Sequence, residues 1–201
     1  MATALRIRRL PLPGPLLMTP EARQDDRGHF TEVFNRKTLE AAGISFEIAQ
    51  DNESFSRRIG TVRGLHLQGG EAVQAKIVRV LSGEIVDVVV DVRPWSATFG
   101  RHVVVTLSMA DGAHLYVPPG FAHGFCTTRP FTRVAYKVDA PYAPAAELGI
   151  NWRDPALGIE WPVAAADARI SERDAGLPTL AEAREALVAA LGLETEDRRC
   201  A

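Results

Sequence analysis

The sequence predicts an all-β fold with short helices near its two ends. Short β-branched and aromatic runs follow one another from residue 46 to 139. Turn residues separate them at regular spacing, and helix-capping signals fall outside that span. Strands spaced this way build a sandwich or a closed barrel, not a βαβ sheet. At 201 residues the chain reads as a single domain over 1–201, with a core at about 20–165 and a C-terminal helical region at about 166–193. A 46% hydrophobic composition is ample for that core.

In chain order, residues 4–19 read as extended, and Pro11, Pro13 and Pro15 suit an edge strand or an exchanged arm. Asp25-Asp26-Arg27-Gly28 is a turn, after which His29 to Phe34 alternates like a strand. A short helix is expected from Arg36 to Ala42, capped by Asn35 and stopped by Gly43. Lys76 to Leu81 and Glu84 to Arg93 are strands, and the Ser82-Gly83 between them signals a hairpin. His102 to Ser108, Ala113 to Val117 and Phe131 to Val138 continue the series. Beyond Tyr142, turns carry Trp152 and Trp161 as anchors. Thr179-Leu180-Ala181-Glu182 is a capping box. It opens a helix with Leu180, Leu187, Val188 and Leu191 on one face and Gly192 as its stop. Glu194 to Ala201 is polar and expected to fray.

The net charge of −2 argues against binding nucleic acid through a global basic field, while leaving room for a small anion held by a few arginines. Cys126 and Cys200 form neither ligand spacing nor a disulfide framework, which suits a reducing compartment. Prolines break the apolar run near the N-terminus, as a signal peptide would not allow. No stretch approaches the ~20 apolar residues of a membrane span. A cytoplasmic protein without membrane or nucleic-acid partners is expected.

One stretch concentrates chemistry. Arg63-Gly64-Leu65-His66-Leu67-Gln68 and, ten residues after His66, Lys76 place a guanidinium, an imidazole and an ammonium in a strand pattern. His66 and Gln68 share a face by the two-residue period. Arg63 falls on the other parity unless Gly64 bulges the strand. Basic groups aimed into a β interior are costly unless something anionic or electron-rich sits there. His66 is the natural general base, since histidine alone titrates near neutral pH unperturbed. Lys76 and Arg63 can stabilise charge developing on an oxygen, and Tyr136 can serve as a general acid.

Gly112 followed by Pro118-Pro119-Gly120-Phe121-Ala122-His123 resembles the second motif of the cupin superfamily, and His66 sits at about the interval of the first. A metal site of that kind would need a second histidine where Gln68 stands, and Glu71 is too close to replace the usual glutamate. Two firm ligands are too few for a tight transition-metal site, so neither metal nor other cofactor is expected.

A larger set of residues is similar, in order, to the dTDP-4-dehydrorhamnose 3,5-epimerase family. It comprises Arg27 to Glu32, Gln50 to Ser56, Arg63 to Gln68, Gln74 to Lys76, Asp87 to Arg93, Pro118 to Phe125, Tyr136-Lys137 and Asn151 to Pro155. The resemblance implies a cupin-type jelly roll, a double-stranded antiparallel β-barrel, working as a metal-independent homodimer on a nucleotide sugar. It implies His66 as base, Tyr136 as acid, Lys76 as enolate stabiliser, and Asp174 as the carboxylate that orients His66. A Ser171-x-x-Asp174 capping box is the competing reading of that aspartate. The resemblance further implies substrate contacts from Arg27, Glu32, Gln50, Asp51, Asn52, Arg63, His123, Glu147 and Arg173. A diphosphate favours arginine forks. Leu67, the Gly69 to Val73 loop and His29 depart from the family pattern near the site. They leave open a 3- or 5-monoepimerase, or a cupin that only binds a nucleotide sugar.

Overall fold

Two antiparallel sheets face each other in a computed structural model of the protein, which describes residues 4–192. The strands in chain order are β1 (Leu5–Arg9), β2 (Leu16–Pro20), β3 (Ala22–Asp25), β4 (Gly28–Thr31), β5 (Gln50–Ser56), β6 (Val62–Gln68), β7 (Lys76–Ser82), β8 (Glu84–Asp91), β9 (His102–Ser108), β10 (His114–Val117), β11 (Phe121–Thr127), β12 (Thr132–Val138) and β13 (Glu147–Gly149). One sheet has the order β1-β2-β10-β7-β12-β5, the other β13-β6-β11-β8-β9. Together they make a jelly roll. The β3–β4 hairpin stands apart as its own two-stranded unit, with the two-residue Asp26-Arg27 loop at its tip.

The alternation of side chains across each strand sorts the sequence into layers. On β8, Ile85 and Val89 enter the core between the sheets, while Val88 and Val90 face outward. On β11, Phe121 and Phe125 point in and Ala122 points out. Val78, Val80, Leu115 and Val134 fill the inner layer from the opposite sheet. The outer face of the second sheet is covered by α3 (Leu180–Leu191), whose Leu180, Ala183, Leu187 and Leu191 are buried. Ala183 takes the place expected for Val188, which is only half-buried.

The ends behave as their capping chemistry dictates. The first helix, α1, spans Arg36–Ala41, with Asn35 Oδ1 accepting from Thr38 N. The Thr179–Glu182 box is complete at the start of α3. Trp161 Nε1 donates to Trp152 O at 2.7 Å, which joins the two aromatic turns. The segment read as extended forms the β1–β2 hairpin, Leu5 pairing with Pro20, with the three prolines in its connection rather than in a single long edge strand.

Ser82-Gly83 does not make a hairpin. β7 pairs with β10 and β12, whereas β8 pairs with β11 and β9, so the chain changes sheets at this corner. Gly83 has φ 81°, and a Cβ there would meet Thr132 Oγ1 at 2.3 Å. The sequence signal marks a sharp turn correctly, but sheet membership depends on which neighbours bury each face. The segment expected to fray, Glu194 to Ala201, lies outside the described residues. Among the described residues no helix is long and apolar enough to cross a membrane.

Candidate active site

At one end of the barrel the inward positions turn from apolar to polar. Lys76 continues the row of Val78 and Val80, and Tyr136 follows Val134. His66 and Gln68 do the same on β6, while Leu65 and Leu67 pack outward beneath α3. The result is a cavity of about 320 Å³ lined by Gln50, Asn52, His66, Gln68, Gln74, Lys76, Tyr136, Tyr142 and Glu147, with Leu67 at its wall.

The parity of Arg63 is settled by a bulge. His66 pairs with His123 and Arg63 with Phe125, so two steps along β11 match three along β6. Arg63 therefore returns to the face of His66, and its guanidinium donates to Phe55 O on the opposite sheet at 3.3 Å. Gly64 makes the bulge possible. It has φ 113°, and a Cβ on it would lie 2.6 Å from Gly124 Cα and 2.7 Å from His123 O.

The bulge also presents Gly64 N to Asp174 Oδ2 at 3.1 Å, while Asp174 Oδ1 lies 2.9 Å from His66 Nε2. Asp174 sits on α2 (Glu172–Ala175), whose N-cap Ser171 accepts from Asp174 N. The competing readings thus both hold: the backbone of Asp174 serves the cap and its carboxylate serves the histidine. Burial raises the Asp174 carboxyl, but the hydrogen bond and charge of His66, with Gly64 and Ser171, outweigh it and hold the group below its ordinary value.

Burial likewise tunes the other groups. It pulls Lys76 down to about 8, against the opposing pull of Glu147 and Asp87, and Lys76 Nζ donates to His66 O at 3.3 Å. Burial raises the Tyr136 hydroxyl; the Arg63 charge opposes that shift, and Glu147 and Tyr142 add to it. At the mouth, Glu147 receives the Tyr142 hydroxyl and an ion pair from Arg173. Burial raises the Glu147 carboxyl, but these partners win and lower it.

Of the residues singled out from sequence, His66, Lys76, Tyr136, Gln50, Asn52 and Glu147 meet at the cavity, with Asp174 behind His66 and Arg173 at the rim. Arg63 and Asp174 border a second, open groove of about 490 Å³ that also carries Arg169. Asp51 falls on the outer face of β5 and pairs with Lys137. His123 is buried beside His66 in the ladder, with Nε2 only 2.8 Å from Asp87 Oδ1 but without hydrogen-bond alignment. Arg27 lies at the exposed β3–β4 tip, paired with Asp25. Glu32 accepts from Asn35 Nδ2, away from the cavity.

Sequence reasoning gave no site role to Asp87 or Tyr142. Asp87 had a signal, being a carboxylate at an inward position between Ile85 and Val89. Burial raises its carboxyl despite the charges of His123 and Lys76. Tyr142 carried none, because its place depends on where its loop returns to the barrel mouth.

Residues 9–182 match the family model of dTDP-4-dehydrorhamnose 3,5-epimerase. The chain belongs to that family. Its relative of this name from Sinorhizobium fredii is 46% identical over 83% of the chain and 85% of the relative. The crystal structure of dTDP-6-deoxy-D-glucose-3,5-epimerase from Legionella pneumophila in complex with dTDP-4-keto-L-rhamnose superposes with a TM-score of 0.88 at 35% identity, covering 96% of the chain and 100% of that structure. A 3'-monoepimerase from Streptomyces bikiniensis in complex with dTDP-quinovose has a TM-score of 0.82 at 35% identity, covering 88% and 89%.

The Gly64 geometry yields a stability test. Gly64→Ala combines a left-handed φ with a backbone clash and is expected to destabilise by roughly 2–5 kcal/mol. Urea unfolding measures this, and an unchanged midpoint would contradict the close approach of β6 and β11.

Proposed function

We propose that this protein epimerises dTDP-4-dehydro-6-deoxy-D-glucose at C3 and C5, giving dTDP-4-dehydro-L-rhamnose without a metal or other cofactor. One observation carries the reading. His66, braced by Asp174 at 2.9 Å, opens onto the cavity that Lys76 and Tyr136 also line.

The chemistry follows from those groups. A ketone at C4 acidifies the protons on C3 and C5. With Nε2–H donated to Asp174, the lone pair of His66 resides on Nδ1, which takes the proton from carbon. The electron pair moves onto the C4 oxygen as an enolate, and the Lys76 ammonium stabilises it in a site shielded from water. Tyr136 returns a proton to the opposite face. Asp174 fixes the imidazole tautomer and stabilises the imidazolium. Arg63, on the groove it borders, and Arg173, at the cavity mouth beside Glu147, serve the diphosphate. Gln68 stands at the metal-histidine position with its amide wholly engaged by backbone groups.

The working unit we assign is a cytoplasmic homodimer. Arg27 and Glu32 lie away from their own chain's cavity, on or beside a hairpin with Phe30 71% exposed. In a dimer that hairpin serves the other subunit's site. The solved monoepimerase relative supports the alternative of epimerisation at one carbon.

Incubation of substrate in heavy water, quenched early, is expected to place deuterium at both carbons. Label at one carbon selects the monoepimerase, and binding without exchange selects a silent cupin. His66→Ala is expected to abolish exchange at both carbons; retained exchange would remove His66 as base.

The rate is also expected to fall as pH rises through about 8, because Lys76 then loses the proton that makes it an enolate stabiliser. Lys76→Met is expected to lower kcat by roughly 10²–10³-fold and erase this alkaline limb. A limb that persists in that variant belongs to another group.

For the dimer, Arg27→Ala and His66→Ala proteins mixed and refolded together are expected to regain activity that neither has alone. Absence of recovery, with mixed dimers verified, would return Arg27 to its own subunit.

A further inference from the structure

We infer that Gln68 is a positioning residue that roots the two segments of the cavity rim on the strand carrying His66. The inference rests on the epimerase reading for its choice of ligand, not for its geometry. Gln68 points into the barrel mouth on the same face as His66, yet it is only 5% exposed. Its side-chain amide is spent on backbone groups. Nε2 donates to Ala72 O at 2.9 Å and to Pro141 O at 3.1 Å, and Oε1 accepts from Ala143 N at 2.7 Å. Both amide protons and the carbonyl are thereby satisfied.

These contacts bridge segments far apart in sequence. Ala72 closes the 3-10 turn after β6, while Pro141 and Ala143 flank Tyr142. Tyr142 N is held from the other side by Gln50 Oε1 at 3.0 Å, and its hydroxyl reaches Glu147. Gln74 Nε2 also joins the segments, through Ala140 O, and Asp139 Oδ1 accepts from Ala75 N. Those two residues, however, belong to the segments they join. Gln68 belongs to β6, so it sets the height of the rim relative to the base. Loss of its bonds leaves His66–Asp174 intact and frees the Tyr142 loop. The consequence falls on substrate binding, since Tyr142 and Glu147 line the cavity at its mouth while His66 and Asp174 keep their own contact.

The test compares wild type with Gln68→Met, which keeps length and removes all three hydrogen bonds. Gln68→Asn, too short to span both segments, carries the same test should the methionine variant not fold. Turnover of dTDP-4-dehydro-6-deoxy-D-glucose and binding of dTDP-glucose are both measured. Expected are a roughly tenfold rise in KM and in Kd, with kcat within about threefold of wild type, as for lost uniform binding. In a Tyr142→Phe background the same substitution is expected to add little, because the two act as a unit. A purely structural glutamine would lower the melting temperature and leave KM and Kd of the folded protein unchanged. That outcome, a loss confined to kcat, or full multiplication of the two effects would overturn the inference. Wild-type protein that binds dTDP-glucose without turnover would overturn the epimerase reading alone, with the Kd contrast still deciding the role of Gln68.

Discussion

The site depends on how closely β6 can approach β11 at Gly64. Opposite Gly64 lies Gly124, and neither position has room for a side chain: a Cβ on Gly124 would meet Arg63 O at 2.6 Å. That contact accommodates the extra residue of the bulge. The bulge does two things at once. It brings Arg63 round to the face of His66, and it turns Gly64 N out toward Asp174. One carboxylate can then hold a backbone amide with one oxygen and the imidazole with the other. The geometry of His66 is thus tied to main chain, which is stiffer than any side-chain pair.

A second constraint is dielectric. The cavity is walled by the same strands that make the apolar core, so each ionisable group in it is partly stripped of water. Burial disfavours the charged form of Lys76 and of Tyr136, moving the first down and the second up. Asp174 escapes the trend because its oxygens are occupied by donors. Beside the same histidine, one group is thereby pulled toward neutrality and the other held ionised.

The four-residue helix α2 links these features to the mouth. Asp174 reaches inward to His66, and the adjacent Arg173 reaches across to Glu147. Glu147 begins β13, whose ladder partner on β6 is Gln68. His66, the cavity rim and the Tyr142 loop are therefore attached to a common strand from two directions. This explains how exposed loop residues such as Tyr142 can be held in register with buried chemistry.

Much of this was legible in the sequence, because strand alternation is a local property. The β-branched runs, the caps at Asn35 and Thr179, and the inward placement of His66 and Gln68 follow from two-residue and helical periods alone. Residue chemistry alone raised Lys76 and Tyr136 as candidates, and the family resemblance added Asp174. Local rules could not say whether Ser82-Gly83 joins strands within a sheet or across sheets, because either uses the same tight turn. Nor could they resolve the parity of Arg63. A bulge is stabilised by the partner strand, and the partner, β11, lies some sixty residues away. The same limit hid the close approach of His123 to Asp87 and left Arg27 without a place at its own chain's cavity. By itself the sequence determined the strands, the caps and the chemical types gathered for the reaction. Only the tertiary structure decided which of them face one another, since that follows from close approach between distant backbones rather than from spacing along one.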